Sequence, residues 1–301
     1  MWCSESALVF RFRDGEKLAS IMQDTRSYLG HMKNLKRDKA YLLGWLRYQA
    51  CLNLTEQGNK DIFDLNAGPI KAALLSDDKL AHRYNALYQG FLFAHMGEHQ
   101  RHSELTLHIG WDAFLKAYPG GGPVPMDVFV KGISCFAAAR ETGNLKYRKA
   151  AHACRSIIKR WIARGHPNAL HYESALDAEF EALRGRVRVA RKHYEIALSI
   201  ATRSGALHDV GLISERKFYN CLIKIGKHHF RHVIKHLIAY AAQTTENFLV
   251  GFGEYCLNVL NDSNEATNLV KESVASYREW GALAKVTALE EKYLSLFTMA
   301  S

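Results

Sequence analysis

Fifteen histidines in 301 residues make metal binding the first chemistry to weigh. In the stretch KHHFRHVIKH, His228, His232 and His236 stand at i, i+4 and i+8, so a helix would carry them on one face. Imidazoles four residues apart can share a zinc ion, but a tetrahedral site needs further ligands, and successive turns of one helix diverge too far to supply them. No HExxH pattern or carboxylate motif accompanies them. The spacing therefore reads as a solvated basic face. HMGEHQRH, with His95, His99 and His102, reads the same way, the more so because His95 and His99 straddle a turn at Gly97.

The six cysteines, Cys3, Cys51, Cys135, Cys154, Cys221 and Cys256, include no CxxC pair and no local Cys-His signature. They read as reduced thiols packed as small hydrophobes. An enzyme would need a pocket in which a carboxylate, a histidine and a cysteine converge, and no motif announces one. In AYPGGGPVPMD the glycines Gly120 to Gly122 lack a following Lys-Ser/Thr, so they form a loop rather than a phosphate cradle. Pro123 and Pro125 cannot continue a preceding helix. No catalytic residue, metal or cofactor is expected.

Charge is more informative. The chain carries a formal +10, and Arg140 to Arg203 holds 14 Lys and Arg against 6 Asp and Glu, a local excess of +8. Arg184, Arg186, Arg188, Arg191 and Lys192 crowd one turn and the helix after it, with Arg188, Arg191 and Lys192 spaced to share a face. Such a patch can attract nucleic acid, anionic lipid or an acidic protein segment, or it can be an ordinary solvated edge. Arg184, Arg188, Arg191 and Lys192, with Arg155 and Lys159, are the candidate partner-binding set. An acidic protein partner stands ahead of nucleic acid, because no exposed aromatic platform for bases is evident beside them. Tyr84, Tyr88, Phe91 and Phe93 read as core.

The elements that must position these residues are helices. Apolar residues recur at helical spacing, as in Leu18, Ile21, Met22, Thr25, Leu29 and again in Tyr172, Leu176, Phe180, Leu183, and strand alternation is nearly absent. Turn markers at Gly97, Gly143, Gly185, Gly226 and Asp262 are separated by 46, 42, 41 and 36 residues, the period of helix-pair solenoids. In LDAEFEALRGRVRVARKHYEIALSIATRSG, Ala178, Gly185, Ala190, Tyr194 and Ala197 follow the tetratricopeptide pattern. The small residues let two antiparallel helices approach, and Tyr194 fills the gap beyond them. The expected fold is all-α, a tetratricopeptide-like right-handed superhelix of antiparallel helix pairs, with residues 1–15 as an N-terminal segment and 16–296 as the repeat domain. Near its end, Trp280-Gly281 reads as a boundary between a helix carrying Val270, Val274 and Tyr277 and one carrying Leu283, Val286, Leu289 and Tyr293.

A chain that is 48% hydrophobic and 23% charged can bury a core and is not disordered. No run approaches the roughly 18 apolar residues of a membrane span. The apolar run Ala7 to Phe10 is too short for a signal sequence. A soluble, cytoplasmic protein is expected.

The segment from Trp161 to Gly205 also resembles the helical region of very large multi-sensor signalling proteins, in which a kinase-like domain and an AAA-type ATPase precede it. Trp161, Pro167, Asn168, His171, Glu179, Gly185, Ala190, Tyr194 and Ala197 occupy that pattern, and Tyr277, Trp280, Gly281, Ala282, Lys285, Leu289, Glu290 and Tyr293 match its close. With weaker blocks at YQACLNLTEQG and YNALYQGFLFAHMGEHQ, the resemblance runs from about Arg11 to Tyr293. It implies a non-catalytic interaction or regulatory module of a signalling protein or assembly, whose partner is an acidic peptide or an adjacent signalling domain. Neither a kinase motif nor a GxxxxGK[ST] loop occurs here, so the catalytic functions of such proteins do not carry over. The chain reads as a stand-alone module or as a piece of a longer gene product.

Overall fold

Helix ends in this chain are set by short polar residues and glycines. The Asp78 carboxylate accepts hydrogen bonds from the backbone N–H groups of Leu80 and Ala81 (2.9 and 3.2 Å), and the Asn144 side chain accepts one from Lys146 (2.9 Å), which satisfies donors that no helical carbonyl can reach. At the opposite ends, Gly97 and Gly143 adopt φ of +83° and +71°, a left-handed conformation that turns the chain out of the helix.

A computed structural model describes residues 2–58, 61–65, 71, 74, 78–117, 122–219 and 264–293. These residues are helical or in turns, with no strand among them. The order is α1 (Trp2–Arg13), α2 (Leu18–Asn34), α3 (Asp38–Leu54), α4 (Lys79–Met96), α5 (His99–Ile109), α6 (Ala113–Ala117), α7 (Val124–Thr142) and α8 (Leu145–Ala163). A 3-10 turn at Pro167–Ala169 leads into α9 (Leu170–Leu183) and α10 (Val187–Ser204). Helical residues 207–219 (α11), residues 264–280 (α12) and α13 (Leu283–Lys292) follow. Residues 1–15 thus include a helix whose Leu8 and Phe12 are buried. Pro123 and Pro125 stop nothing that follows: they open α7, where the first turn has no use for a proline N–H.

Helices joined by short turns pack on each other, α2 on α3, α4 on α5, α7 on α8 and α9 on α10. Neighbouring pairs meet mainly through α7, which touches α4, α5 and α9. The tetratricopeptide-patterned unit behaves as its residue sizes dictate. Ala178, Ala190, Ala197 and Tyr194 are fully buried, and Gly185 makes the turn at φ +74°. Gly132 serves the same purpose between α7 and α9, since a Cβ there would lie 2.7 Å from Leu176 Cδ2.

The described C-terminal helices return to the N-terminal ones. Trp280 Nε1 donates to the Glu16 carbonyl at 3.1 Å, and Thr287 Oγ1 donates to the Glu56 carboxylate at 2.8 Å. The Trp280 ring is fully buried among Phe12, Phe91, His95 and His208, with centroids 5.2–6.3 Å away. Gly281 turns the chain at φ +96° with Leu18 beside it. Trp280-Gly281 is a helix boundary, as expected, but the indole is clasped by helices from the other end of the chain. One contiguous core runs from Phe12 to Tyr293.

Candidate functional site

Under the aromatic core lies a set of polar side chains that the sequence places far apart. The Gly97 turn folds α5 back along α4, so that His99 and His102 face Ser134 of α7 while His95 packs against His208, Tyr277 and Trp280. His102 Nδ1 and His99 Nδ1 lie 2.9 and 3.2 Å from the Ser134 hydroxyl, and His99 Nε2 lies 2.9 Å from the Arg216 guanidinium. Because that guanidinium can only donate, His99 Nε2 is the bare, accepting nitrogen. Arg216 also makes two hydrogen bonds to Glu179 (2.7 and 3.3 Å), which accepts a third from the Tyr194 hydroxyl (2.8 Å) and pairs with Arg140 (3.3 Å). Burial alone would raise the Glu179 carboxyl; Arg216 and Arg140, with Tyr194, hold it below its usual range. Lys285 and Glu215 form a second buried ion pair at 2.8 Å.

These positions correct the reading of HMGEHQRH as a solvated basic face, since all three histidines are buried. Burial pushes His95 and His102 down to about 3, and His99 is also lowered, by burial and then by Arg216. They are neutral packing groups, and His95 stacks parallel to His208 at 5.8 Å. Among the described residues no group of three or more His, Cys, Asp and Glu is placed to hold a metal ion. His228, His232 and His236 lie outside the described residues. Cys51, Cys135 and Cys154 are free and buried, and desolvation raises each thiol, Cys51 to about 12 and Cys135 to about 11. Tyr88, Phe91 and Phe93 are core and Tyr84 is half-buried.

The candidate basic set divides in two. Arg155 and Lys159 reach from α8 to Asp177 on α9 (2.5 and 2.9 Å), and Arg191 pairs with Glu265 at 3.1 Å, so these three cations stitch helices together. Arg184, Arg188 and Lys192 are exposed. Arg184 lies over the Phe180 ring at 5.2 Å, while Arg188 and Lys192 make no ion pair among the described residues. On the same outer side of α10, Val189 and Ile196 are 42% and 50% exposed. Val189, Lys192 and Ile196 follow at i, i+3 and i+7, one stripe of the helix.

A cleft of about 700 Å³ opens where the end of α1, the start of α7, the end of α8, the 3-10 turn, α9 and the start of α11 meet. Its described lining includes Phe10, Arg13, Asp14, Trp161, His166, Asn168, His171, Tyr172 and Asp209, and no cysteine. His171 Nε2 is 3.0 Å from Asp209 Oδ2, and both side chains are buried. Burial alone would raise the Asp209 carboxyl; the flanking imidazoles of His208 and His171 hold it below its usual range. The Arg13 guanidinium is engaged by Asp14 at 2.6 Å and lies 4.7 Å over the Phe10 ring. Trp161, Asn168 and His171 were legible as parts of one motif, but Asp209, 38 residues beyond His171, carried no signal in ALHDVG.

No protein-family model, curated protein or solved structure matches this chain. What the geometry defines, among the described residues, is an all-helical protein with a buried polar core, an outer basic-apolar helix face and a mixed polar and apolar cleft. Among its described residues no helix is long and apolar enough to cross a membrane.

Proposed function

We propose that this protein is a non-catalytic interaction scaffold of a signalling assembly, which binds an acidic, partly apolar segment of a protein partner along the outer face of α10. The observation that carries this reading is the stripe of exposed Arg188, Val189, Lys192 and Ile196, cations with no ion pair among the described residues alternating with exposed apolar side chains. An amphipathic segment bearing Asp or Glu beside Leu or Ile meets both needs, since the cations steer the encounter and the apolar contacts slow release. In the same reading the helix pairs wind as a tetratricopeptide-like right-handed superhelix whose ends are tied together by Trp280. The interior is then occupied by side chains, and recognition falls to the outer edge instead of a concave groove. The resemblance to the helical region of multi-sensor signalling proteins supports a role beside kinase or ATPase domains in a cytoplasmic setting.

The test is fluorescence anisotropy with a labelled acidic amphipathic peptide, set beside a labelled single-stranded oligonucleotide. Binding of the peptide is expected to weaken with added salt and to fall about tenfold or more, about 1.4 kcal/mol, in Arg188→Glu/Lys192→Glu and again in Ile196→Asp. Oligonucleotide binding as tight as the peptide would replace this reading with a nucleic-acid one. Absence of peptide binding at low salt would overturn it.

A further inference from the structure

The cleft between α1, α8 and α9 differs from the surface around it in charge. The chain is strongly basic, yet the described cleft lining carries one arginine against two aspartates. Arg13 and Asp14 neutralise each other at 2.6 Å, so the remaining carboxylate of the described lining is Asp209. Its Oδ1 is buried without a hydrogen-bond partner and lies 3.8 Å from His208 Nε2.

His171 lines the cleft beside that carboxylate. An ionised carboxylate can only accept, so the 3.0 Å contact places a proton on His171 Nε2. Nδ1 is the ring nitrogen left to accept, and it has no partner among the described residues. Three aromatic side chains, Phe10, Trp161 and Tyr172, also line the cleft, the last held by its stack on Phe129 at 4.2 Å. The face of Phe10 already holds a cation, the Arg13 guanidinium. Negative potential, an open acceptor and aromatic walls together are the features that select an organic cation over an anion or a neutral molecule.

We propose that this cleft is a binding site for a small organic amine with an aromatic or aliphatic body, whose ammonium donates to His171 Nδ1 over the Asp209 charge and whose body lies against Trp161 and Tyr172. The site is independent of the α10 face, with which it shares no named residue.

Three probes with one phenyl ring and different head groups test it: phenethylammonium, phenethyl alcohol and phenylacetate, titrated into the full chain and followed by ligand-observed saturation-transfer NMR. Phenethylammonium is expected to bind saturably at about millimolar or tighter, at least about tenfold ahead of the other two. Asp209→Asn and Trp161→Ala are each expected to weaken it about tenfold or more, and Lys39→Ala, exposed on α3 and outside the cleft, to leave it unchanged. Trp161 is only half-buried, so its variant tests the site even where Asp209→Asn fails to fold. Phenylacetate or the alcohol binding as tightly as the amine, no saturable amine binding, or amine binding unchanged in Trp161→Ala would each overturn the assignment.

Discussion

His95 and His102 are neutral in the folded protein because their rings are sealed from water, and that has a measurable consequence. Each has a folded pKa of about 3 against an ordinary value of 6.5. Between those values the unfolded chain binds more protons than the native one, so stability falls as the pH drops, by about 1.4 kcal/mol per pH unit for each histidine. His99 and His208 are lowered too and act with the same sign. Urea unfolding followed between about pH 7 and pH 4 should therefore show a steep loss of stability below about pH 6.5, and His102→Gln should flatten the slope. A pH-independent midpoint would place these rings in solvent. At this scale the sequence was legible where size decides: Tyr194 and Ala178 are buried as their types and spacing suggested. It was misleading where polarity decides, because whether a histidine is buried depends on a serine 32 or 35 residues away and an arginine 117 residues away.

At the scale of elements, glycine positions separate two physical roles. Gly132 lies in α7 where α9 comes closest, with Leu176 Cδ2 2.7 Å and Cys154 Cβ 3.2 Å from where its Cβ would stand. Gly30 lies in α2 with nothing within 4 Å. Gly132→Val should cost about 1–3 kcal/mol through overpacking, and Gly30→Ala should stabilise by about 0.5–1 kcal/mol because only backbone entropy changes. Thermal denaturation of the two variants reads opposite signs. Helix existence and the turns at Gly97, Gly143 and Gly185 were visible in the sequence because capping is local. The split of the basic set was not visible. Arg155 and Lys159 look as free as Arg188 along the chain, and only the docking of α8 on α9 brings Asp177 to them.

At the scale of the whole molecule, Trp280 decides whether the chain behaves as a row of independent pairs or as one unit. An open row of repeats would confine the loss of a terminal side chain to the terminal pair. Here the indole rests on Phe12 and Phe91 and donates to Glu16. Trp280→Ala should cost about 3–5 kcal/mol, and hydrogen exchange should show amides of α1 and α2 losing protection along with those of α12 and α13. Loss restricted to α12 and α13 would mean that the ends are not energetically joined.

The sequence by itself determined the all-helical class, the Trp280-Gly281 boundary and the turns at Gly97, Gly143 and Gly185, and the tight contact at Ala178 and Ala190, because each follows from local conformation and residue size. Tertiary structure alone decided which histidines are buried, which cations remain available on α10, and that Asp209 meets His171 in the lining of a cleft. Those outcomes depend on electrostatic partners separated by tens of residues, and no local pattern encodes which of many charged side chains the packed helices will bring together.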